Sequence, residues 1–364
     1  MEQAVTNNSR PLSLLFFTRG RGRGHAVPDI AIAEELPGFL PDFNLRFASY
    51  GTGAETLRDA GYPLADLNMA DDNHFVETLQ KATALIREVQ PDVVIAHEEY
   101  AVVPAARAFG VPSIFVTDWF PSARTLEIEC IHYVDSIVFI GNPGIFPVPP
   151  LATARPIYVG PVVRKMKYTL VDQPRARQEL SLPQEALVLS VIPGAWATEE
   201  RSPLWELLRP AFEDVKWQNE KVLLWAAASD YDTLLRQCAS HSNVRILRCA
   251  RAEQLMVASD LAITKGNRGS IMDLASLGIP SISISSVLNP IDEALVARVR
   301  SNLALNVNAV DSRFLARCIE DAAGVAFGER DMPLNLHLRG GEVAAEALAD
   351  EILRLVGHNG GAVQ

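Results

Sequence analysis

Short apolar runs alternate with segments of helical period along the first half of the chain. One segment, residues 75–89, has apolar positions spaced by four and three, the period of an amphipathic helix. The apolar runs predict strands at Leu12–Thr18, Asn44–Ser49, Asp92–Ala96, Ser113–Val116 and Ser136–Ile140. Nearly continuous apolar strands separated by helices are typical of parallel strands that are covered on both faces. The first half is therefore predicted to be a doubly wound α/β domain.

A proline-rich break separates this half from a second alternation of the same kind. Asn142–Pro161 contains six prolines, and proline fixes φ and lacks an amide donor, so a linker is expected there. Beyond it, strands are predicted at Leu187–Ile192, Val222–Ala226, Val244–Leu247, Leu261–Thr264 and Ser281–Ile284, and helices at Ala252–Ser259, Ile291–Arg300 and Glu342–Val356. We predict an α/β protein of two doubly wound Rossmann-like domains facing a cleft, residues 1–160 and 161–364. The last helix is a candidate to pack back on the first domain.

Composition and charge narrow the classes of function. The chain has 364 residues, of which 48% are hydrophobic and 21% charged, as in folded proteins. A single core stops growing at about 250–300 residues, so this length also predicts two domains. The net charge of −11 disfavours nucleic acid as a partner. No apolar run has the roughly 18–20 residues of a membrane helix, the start of the chain is polar, and the four cysteines are far apart, so a cytoplasmic location is expected.

The segment after the first predicted strand is the first candidate for chemistry. It has glycines at 20, 22 and 24 ahead of a helix expected from about Pro28. Glycines allow a ligand close to the backbone, and a helix N-terminus attracts negative charge. The G-x-G-x-G spacing is neither a dinucleotide fingerprint nor a P-loop, and a plain strand-to-helix turn is the competing interpretation. The titratable side chain of His25 favours a functional role.

Two further segments offer ligand-binding groups. The predicted strand Leu261–Thr264 runs into a loop whose backbone N–H groups, from Gly266 to Ser270, are suited to a diphosphate, with added charge from Lys265 or Arg268. Asp273 offers a carboxylate to a ribose diol, or alternatively balances the helix dipole. Asp292 and Glu293 open a predicted helix, either as an ordinary acidic first turn or as acceptors for sugar hydroxyls.

Together these segments resemble the glycosyltransferases of the GT-B fold, and in particular the inverting branch that includes the UDP-N-acetylglucosamine-dependent transferase of peptidoglycan lipid intermediates. GRGRGHAVPDIAIAEEL, from Gly20, resembles the opening G-x-G-G-H-x-x-P-x-x-A-x-A-x-E-L of that branch. SDLAITKGNRGSIMDLASLGIP, from Ser259, resembles its nucleotide-binding stretch, and IYVGPVVR (157–164) is similar to its G-N-P-V-R crossing between domains.

The resemblance implies a role for each matching position. It implies that backbone groups bind the donor diphosphate and the uracil at Gly194 and Cys249, and that Asp273 binds ribose where the family usually has glutamate. The implied donor-binding set is Arg164, Gly194, Cys249, Lys265, Gly266, Asn267, Arg268, Gly269, Ser270, Asp273, Asp292 and Glu293. Gly22, Arg23 and Gly24 are the acceptor-binding candidates. Arg19, Arg21 and Arg23 make this loop unusually basic, which suits an anionic acceptor such as a lipid diphosphate, although three solvated side chains are an equal alternative.

Inverting transfer needs a base for the acceptor hydroxyl and a device that stabilises the leaving nucleoside diphosphate. His25 is the first candidate for the base, with Glu98 or Glu99 as its orienting acid and Asp118 as the second candidate. The competing interpretation is that His25 caps the glycine turn or orients the acceptor. The resemblance implies that the loop 266–270 and its basic side chains stabilise the leaving group in place of a cation, so no metal and no cofactor are expected.

The function expected from the resemblance is a hexosyltransferase that moves a sugar from a UDP-sugar, or another nucleotide-sugar, to a small-molecule or lipid-linked hydroxyl acceptor. A nucleotide-sugar hydrolase or epimerase, and a binder without catalysis, are the alternatives. Trp119-Phe120 and Ile145-Phe146 are candidates for peripheral membrane contact, with a role in the core as the alternative.

Overall fold

The computed structural model describes eleven stretches of the chain and divides it into two compact units. The described residues are 10–69, 75–119, 126–141, 156–192, 201–227, 231–248, 252–264, 268–285, 302–306, 310–328 and 340–359. The first unit comprises the described residues of Met1–Arg164 and Leu338–Gln364, and the second those of Lys165–His337.

The first unit is built on a parallel sheet of seven strands. Their bounds are β1 (Leu12–Thr18), β2 (Phe43–Ser49), β3 (Leu64–Asp66), β4 (Val93–His97), β5 (Ser113–Thr117), β6 (Ser136–Phe139) and β7 (Pro156–Tyr158). The helices between them are α1 (Ala26–Glu35), α2 (Gly51–Asp59), α3 (Phe75–Val89), α4 (Val102–Ala108) and α5 (Leu126–Ile131). The strand order is β3-β2-β1-β4-β5-β6-β7. Every residue of β4 and β5 is buried, as expected for central strands covered on both faces.

The second unit repeats this plan with six parallel strands. They are β8 (Leu187–Ile192), β9 (Lys221–Ala227), β10 (Val244–Arg248), β11 (Leu261–Thr264), β12 (Ser281–Ser285) and β13 (Asn302–Asn306), in the order β10-β9-β8-β11-β12-β13. The described helices are α6 (Gln173–Glu179), α7 (Arg201–Asp214), α8 (Tyr231–Gln237), α9 (Ala252–Ala258), α10 (Arg268–Leu277) and α11 (Ser312–Gly328). One apolar cluster lies on each face of this sheet. Both units are therefore doubly wound Rossmann-like folds.

The strand order reverses direction at one place in each sheet, and this is where a ligand crevice forms in such folds. In the first unit the reversal lies between β1 and β4, whose pairing sets Thr18 beside His97. In the second it lies between β8 and β11, with Thr264 beside Ile192. In the first unit, the segments that follow β1 and β4 lie at this crevice.

The C-terminal helix α12 (Gly340–Asn359) packs on the first unit. Ala344, Leu348 and Ile352, one face of this helix, are buried in the same apolar cluster as strand residues Leu14 and Phe16. No helix in the described part of the chain is long and apolar enough to cross a membrane.

Three strands, β3, β7 and β13, are absent from the prediction, and all lie at a sheet edge. β7 lies inside the stretch expected to be a linker, where it pairs with β6 alone. Proline is tolerated at the start of an edge strand because one side of the strand needs no ladder hydrogen bonds, and β7 begins at Pro156. The helix predicted at Ile291–Arg300 lies outside the described residues.

Replacement of Ile352 by alanine is expected to lower the free energy of unfolding by about 2–5 kcal/mol, because the side chain is fully buried against the first sheet. Leu353→Ala is the matched control: its side chain is 47% exposed, and a change within about 0.5 kcal/mol is expected. Urea unfolding of the two variants measures the difference. Equal effects would contradict the packing of α12 described above.

Candidate active site

The glycine segment after β1 brings His25 to the crevice of the first unit. His25 directly precedes α1, and its Nε2 lies 2.9 Å from Oε2 of Glu98, the residue directly after β4. The glycine segment passes close to Tyr50, which requires a glycine at position 20. A Cβ there would collide with the carbonyl oxygen of Tyr50. Since β1 and β4 are neighbours, the two loops meet at the same edge of the sheet.

Glu98 is a buried carboxylate that neighbouring groups hold in place. The Thr117 hydroxyl lies 3.0 Å from Oε1, and the Trp119 indole N–H donates to Oε2 at 3.0 Å. The backbone of Glu98 has a φ of 55°, a left-handed conformation that non-glycine residues adopt mainly where the surrounding structure imposes it. Burial acts to raise the pKa of Glu98, but the hydrogen bond and charge of His25 hold this pKa well below its usual range. Glu98 is therefore ionised at neutral pH.

The ionised Glu98 decides which nitrogen of His25 carries the proton. A carboxylate only accepts hydrogen bonds, so Nε2 of His25 must be the donor, and in the neutral ring Nδ1 then holds the lone pair. Nδ1 is buried and has no hydrogen-bond partner among the described residues. Burial, which outweighs the opposing effect of Glu98, lowers the pKa of His25. The site thus contains a neutral imidazole with a free lone pair and an anchored opposite nitrogen.

A second histidine–carboxylate pair lies behind the first. Nδ1 of His97 lies 2.6 Å from Asp29, and the Thr18 hydroxyl donates to the other oxygen of Asp29 at 2.7 Å. The side chains of His97 and Asp29 are at most 2% exposed. Burial opposes a charge on His97, but the charge and hydrogen bond of Asp29 give a net rise in its pKa. The ring of His97 meets that of His25 edge to face, with centroids 4.8 Å apart.

Sequence reasoning missed Asp29. Its signal was its spacing of four from His25, which on a helix sets the two residues on one face. It stands in the first turn of α1, where an acidic residue is also the ordinary partner of the helix dipole, so the spacing alone could not distinguish the two roles.

Glu99 contacts a different partner from Glu98. Its Oε1 accepts a hydrogen bond from the Tyr50 hydroxyl at 2.8 Å, and burial raises the pKa of Glu99 to about 7. Asp118 follows β5, and its backbone N–H lies 3.5 Å from Glu98. The structure therefore brings Glu98 to His25 and turns Glu99 toward Tyr50.

The remaining candidates divide between the two units. Gly22, Arg23 and Gly24 lie in the loop that leads to His25, and Arg164 is half-buried at the end of the first unit's main segment. In the second unit, the crevice strand β11 ends at Thr264 and α10 begins at Arg268. This helix carries Gly269, Ser270 and Asp273, of which Asp273 is buried. Outside the described residues lie Gly194, Cys249, Lys265, Gly266, Asn267, Asp292 and Glu293.

Comparison with known proteins gives distant but extensive matches. No protein-family model matches the chain. The UDP-N-acetylglucosamine–N-acetylmuramyl-(pentapeptide) pyrophosphoryl-undecaprenol N-acetylglucosamine transferase of Exiguobacterium sp. is 24% identical over 375 residues, which cover 94% of this chain and 99% of that protein.

Solved structures match over almost the whole chain as well. The glycosyltransferase of kitacinnamycin has a TM-score of 0.67 at 16% identity and covers 95% of this chain and 99% of its own. UGT89C1 of Arabidopsis thaliana, solved in complex with UDP, has a TM-score of 0.63 at 14% identity, with 96% and 98% covered. The two doubly wound sheets are those of the GT-B fold, and the chain is distantly similar in sequence to the N-acetylglucosamine transferase of Exiguobacterium sp. over nearly its whole length.

Proposed function

We propose that the protein transfers a sugar from a UDP-sugar to a hydroxyl of a small-molecule or lipid-linked acceptor, with inversion at the anomeric carbon. The observation that carries the proposal is the His25–Glu98 pair, in which Nε2 is anchored and Nδ1 has no partner among the described residues. The pair has the parts of a general base: a lone pair at the site and a carboxylate that supports the ring.

The proton steps follow from this geometry. As the acceptor oxygen attacks the anomeric carbon, its proton passes to Nδ1 of His25, and the ring becomes an imidazolium. Glu98 stays ionised and stabilises that charge across the 2.9 Å contact. Trp119 and Thr117 hold the carboxylate in position while the ring changes charge. Gly22, Arg23 and Gly24 share the loop with His25, which supports their assignment to the acceptor.

The leaving UDP is assigned to the second unit. β8 and β11 are neighbours where the strand order reverses, so the segments after them are suited to a nucleotide. The N-terminus of α10 favours a diphosphate, and Lys265 and Arg268 add positive charge without a metal. In the same assignment Gly194, Gly266, Asn267, Gly269 and Ser270 supply backbone groups to the diphosphate.

The base and the sugar of UDP have their own assigned residues. Asp273 accepts hydrogen bonds from the ribose, and the backbone at Cys249 reads the uracil. Asp292 and Glu293 contact the donor sugar, and Arg164 faces the diphosphate. The choice of UDP is supported by the donor named for the Exiguobacterium enzyme and by the UDP bound to UGT89C1.

His25→Ala is expected to reduce kcat by about 10²–10⁴-fold, because removal of a positioned base costs about that much. His241→Ala is the control, since His241 lies in the second unit, where its ring contacts Trp205 and its Nε2 lies 3.8 Å from Glu213. Mass spectrometry of product formed from UDP-hexoses and a panel of alcohol acceptors measures the change. Near-full turnover by His25→Ala would remove His25 from this role, and free sugar released without any acceptor would identify a hydrolase.

We expect kcat/KM to decrease as the solution becomes acidic. The midpoint of this decrease should lie below 6.5, the ordinary pKa of histidine. His25 acts as a base only when neutral, so activity is lost as the pH falls through its lowered pKa. Glu98→Gln removes a charge that raises this pKa, so the acid limb should move to still lower pH while the plateau rate also falls. An unchanged limb in this variant would contradict the coupling of the two side chains.

UDP is expected to raise the melting temperature of the protein, since a ligand present at a hundredfold excess over its Kd contributes about 2.7 kcal/mol. Asp273→Asn should weaken this effect, because the neutral amide is a poorer acceptor for the ribose diol. A thermal-shift panel of nucleoside diphosphates and nucleotide-sugars compares the bases directly. Absence of a shift with every uridine nucleotide would overturn the donor assignment.

A further inference from the structure

We infer that His25, His97 and Glu98 also form a binding site for one divalent transition-metal ion of the Zn²⁺ class, and that a metal bound there blocks the general base. The metal site is argued from geometry alone. Its effect on turnover rests on the function proposed above.

The three side chains supply a suitable set of ligands. One donor atom from each lies within 4.8 Å of the other two, and Nε2 of His25 and Oε2 of Glu98 are 2.9 Å apart. Zn²⁺ binds imidazole nitrogen and carboxylate oxygen at about 2.0–2.2 Å, so its tetrahedral ligands lie about 3.3–3.6 Å from one another. Closing the site around an ion therefore requires side-chain shifts of about 1 Å. Two histidines and one glutamate leave the fourth position open, as in catalytic zinc sites.

The groups behind these ligands have the arrangement of a metal site's outer shell. A histidine that binds a metal usually donates its other ring N–H to a carboxylate, which orients the ring. Nδ1 of His97 forms a hydrogen bond with Asp29. Among the described residues, Nε2 of His97 has no hydrogen bond. Asp29 is itself fixed by Thr18, while Glu98 is fixed by Thr117 and Trp119. His97 and Glu98 are buried, and the side chain of His25 is 21% exposed, so solvent reaches one of the three ligand residues.

The blocking effect follows from the proton on His25. Without a metal, Nε2 carries the proton toward Glu98 and Nδ1 has the lone pair. A metal bound between His25 and Glu98 takes the lone pair of Nε2, so Nδ1 then carries the single proton of the neutral ring. Any proton on Nε2 of His97 leaves to water. Nδ1 is then an N–H donor and cannot accept the proton of an acceptor hydroxyl.

The first experiment measures binding on the full chain after treatment with a chelator. Co²⁺ is titrated against its visible absorption, and Zn²⁺ is then used to displace it. Wild type should bind one equivalent with a tetrahedral Co²⁺ spectrum. Asp29→Asn should weaken binding by about 10–100-fold, as loss of an outer-shell partner does, and Glu98→Gln, which loses a ligand, should weaken it at least as much.

His241→Asn is the control for adventitious binding by surface histidines and should bind as wild type does. Circular dichroism of the Gln and Asn variants confirms that each is folded. Absence of a stoichiometric Co²⁺ spectrum in wild type, or wild-type affinity in Glu98→Gln, would overturn the site.

The second experiment measures transfer in the presence of Zn²⁺, Mg²⁺ or a chelator. Zn²⁺ should inhibit reversibly, and Mg²⁺, which prefers oxygen ligands, should not inhibit. Stoichiometric binding of Zn²⁺ without inhibition would overturn the blocking effect alone. If no sugar transfer is found in any condition, the proposed function fails, and the Co²⁺ titration still decides the metal site.

Discussion

The parallel pairing of β1 with β4 is the constraint on which the candidate active site depends. It sets Thr18 beside His97 and so brings two loops, one rich in glycine and one rich in titratable residues, to a single edge of the sheet. Helices cover both faces of the sheet at these central strands. As a result, β4 is buried along its whole length. The strand order reverses at the same place, so the helices that follow the two strands, α1 and α4, pack in different apolar clusters on the two faces of the sheet.

Buried charge in this crevice is tolerated because each charged group has partners. Asp29 has His97 and Thr18, while Glu98 has His25 and Trp119. An unpartnered ion in such surroundings is strongly destabilising, and loss of one partner from a buried pair commonly costs about 3–5 kcal/mol. The network therefore fixes the orientation of His25 as well as its charge state. This connects the stability of the first unit to its chemistry.

The second unit also contains a buried ion pair, at a distance from the segments proposed to bind the nucleotide. Arg177 and Asp260 form a buried pair at 2.6 Å, and Asp260 also accepts the backbone N–H of Val188 at the start of the sheet. Arg177 further donates to the carbonyl oxygen of Ala258, so α6 is tied to the segment between α9 and β11. The pair lies at the amino ends of β8 and β11, while the proposed nucleotide segments follow their carboxyl ends. Stability and proposed binding thus occupy opposite ends of the same strands.

The amino-acid sequence by itself determined the doubly wound character of both units. Central strands such as β1, β8 and β11 are continuous apolar runs, and their burial on two faces makes the signal local. The glycine segment before His25 could also be recognised from the sequence, because its glycines come directly after the end of a predicted strand. The edge strands β3 and β7 were not visible, since a strand of only three residues carries no recognisable period.

Only the tertiary structure decided the partners within the candidate site. Glu98 and Glu99 are adjacent and chemically alike, yet one contacts His25 and the other Tyr50. The difference comes from the left-handed backbone at Glu98 and from the residues that β5 and the segment after β2 bring alongside. The role of Asp29 depends in the same way on β4 lying next to β1. Local sequence specifies which residues end a strand, whereas the order of the strands in the sheet specifies which of those residues meet.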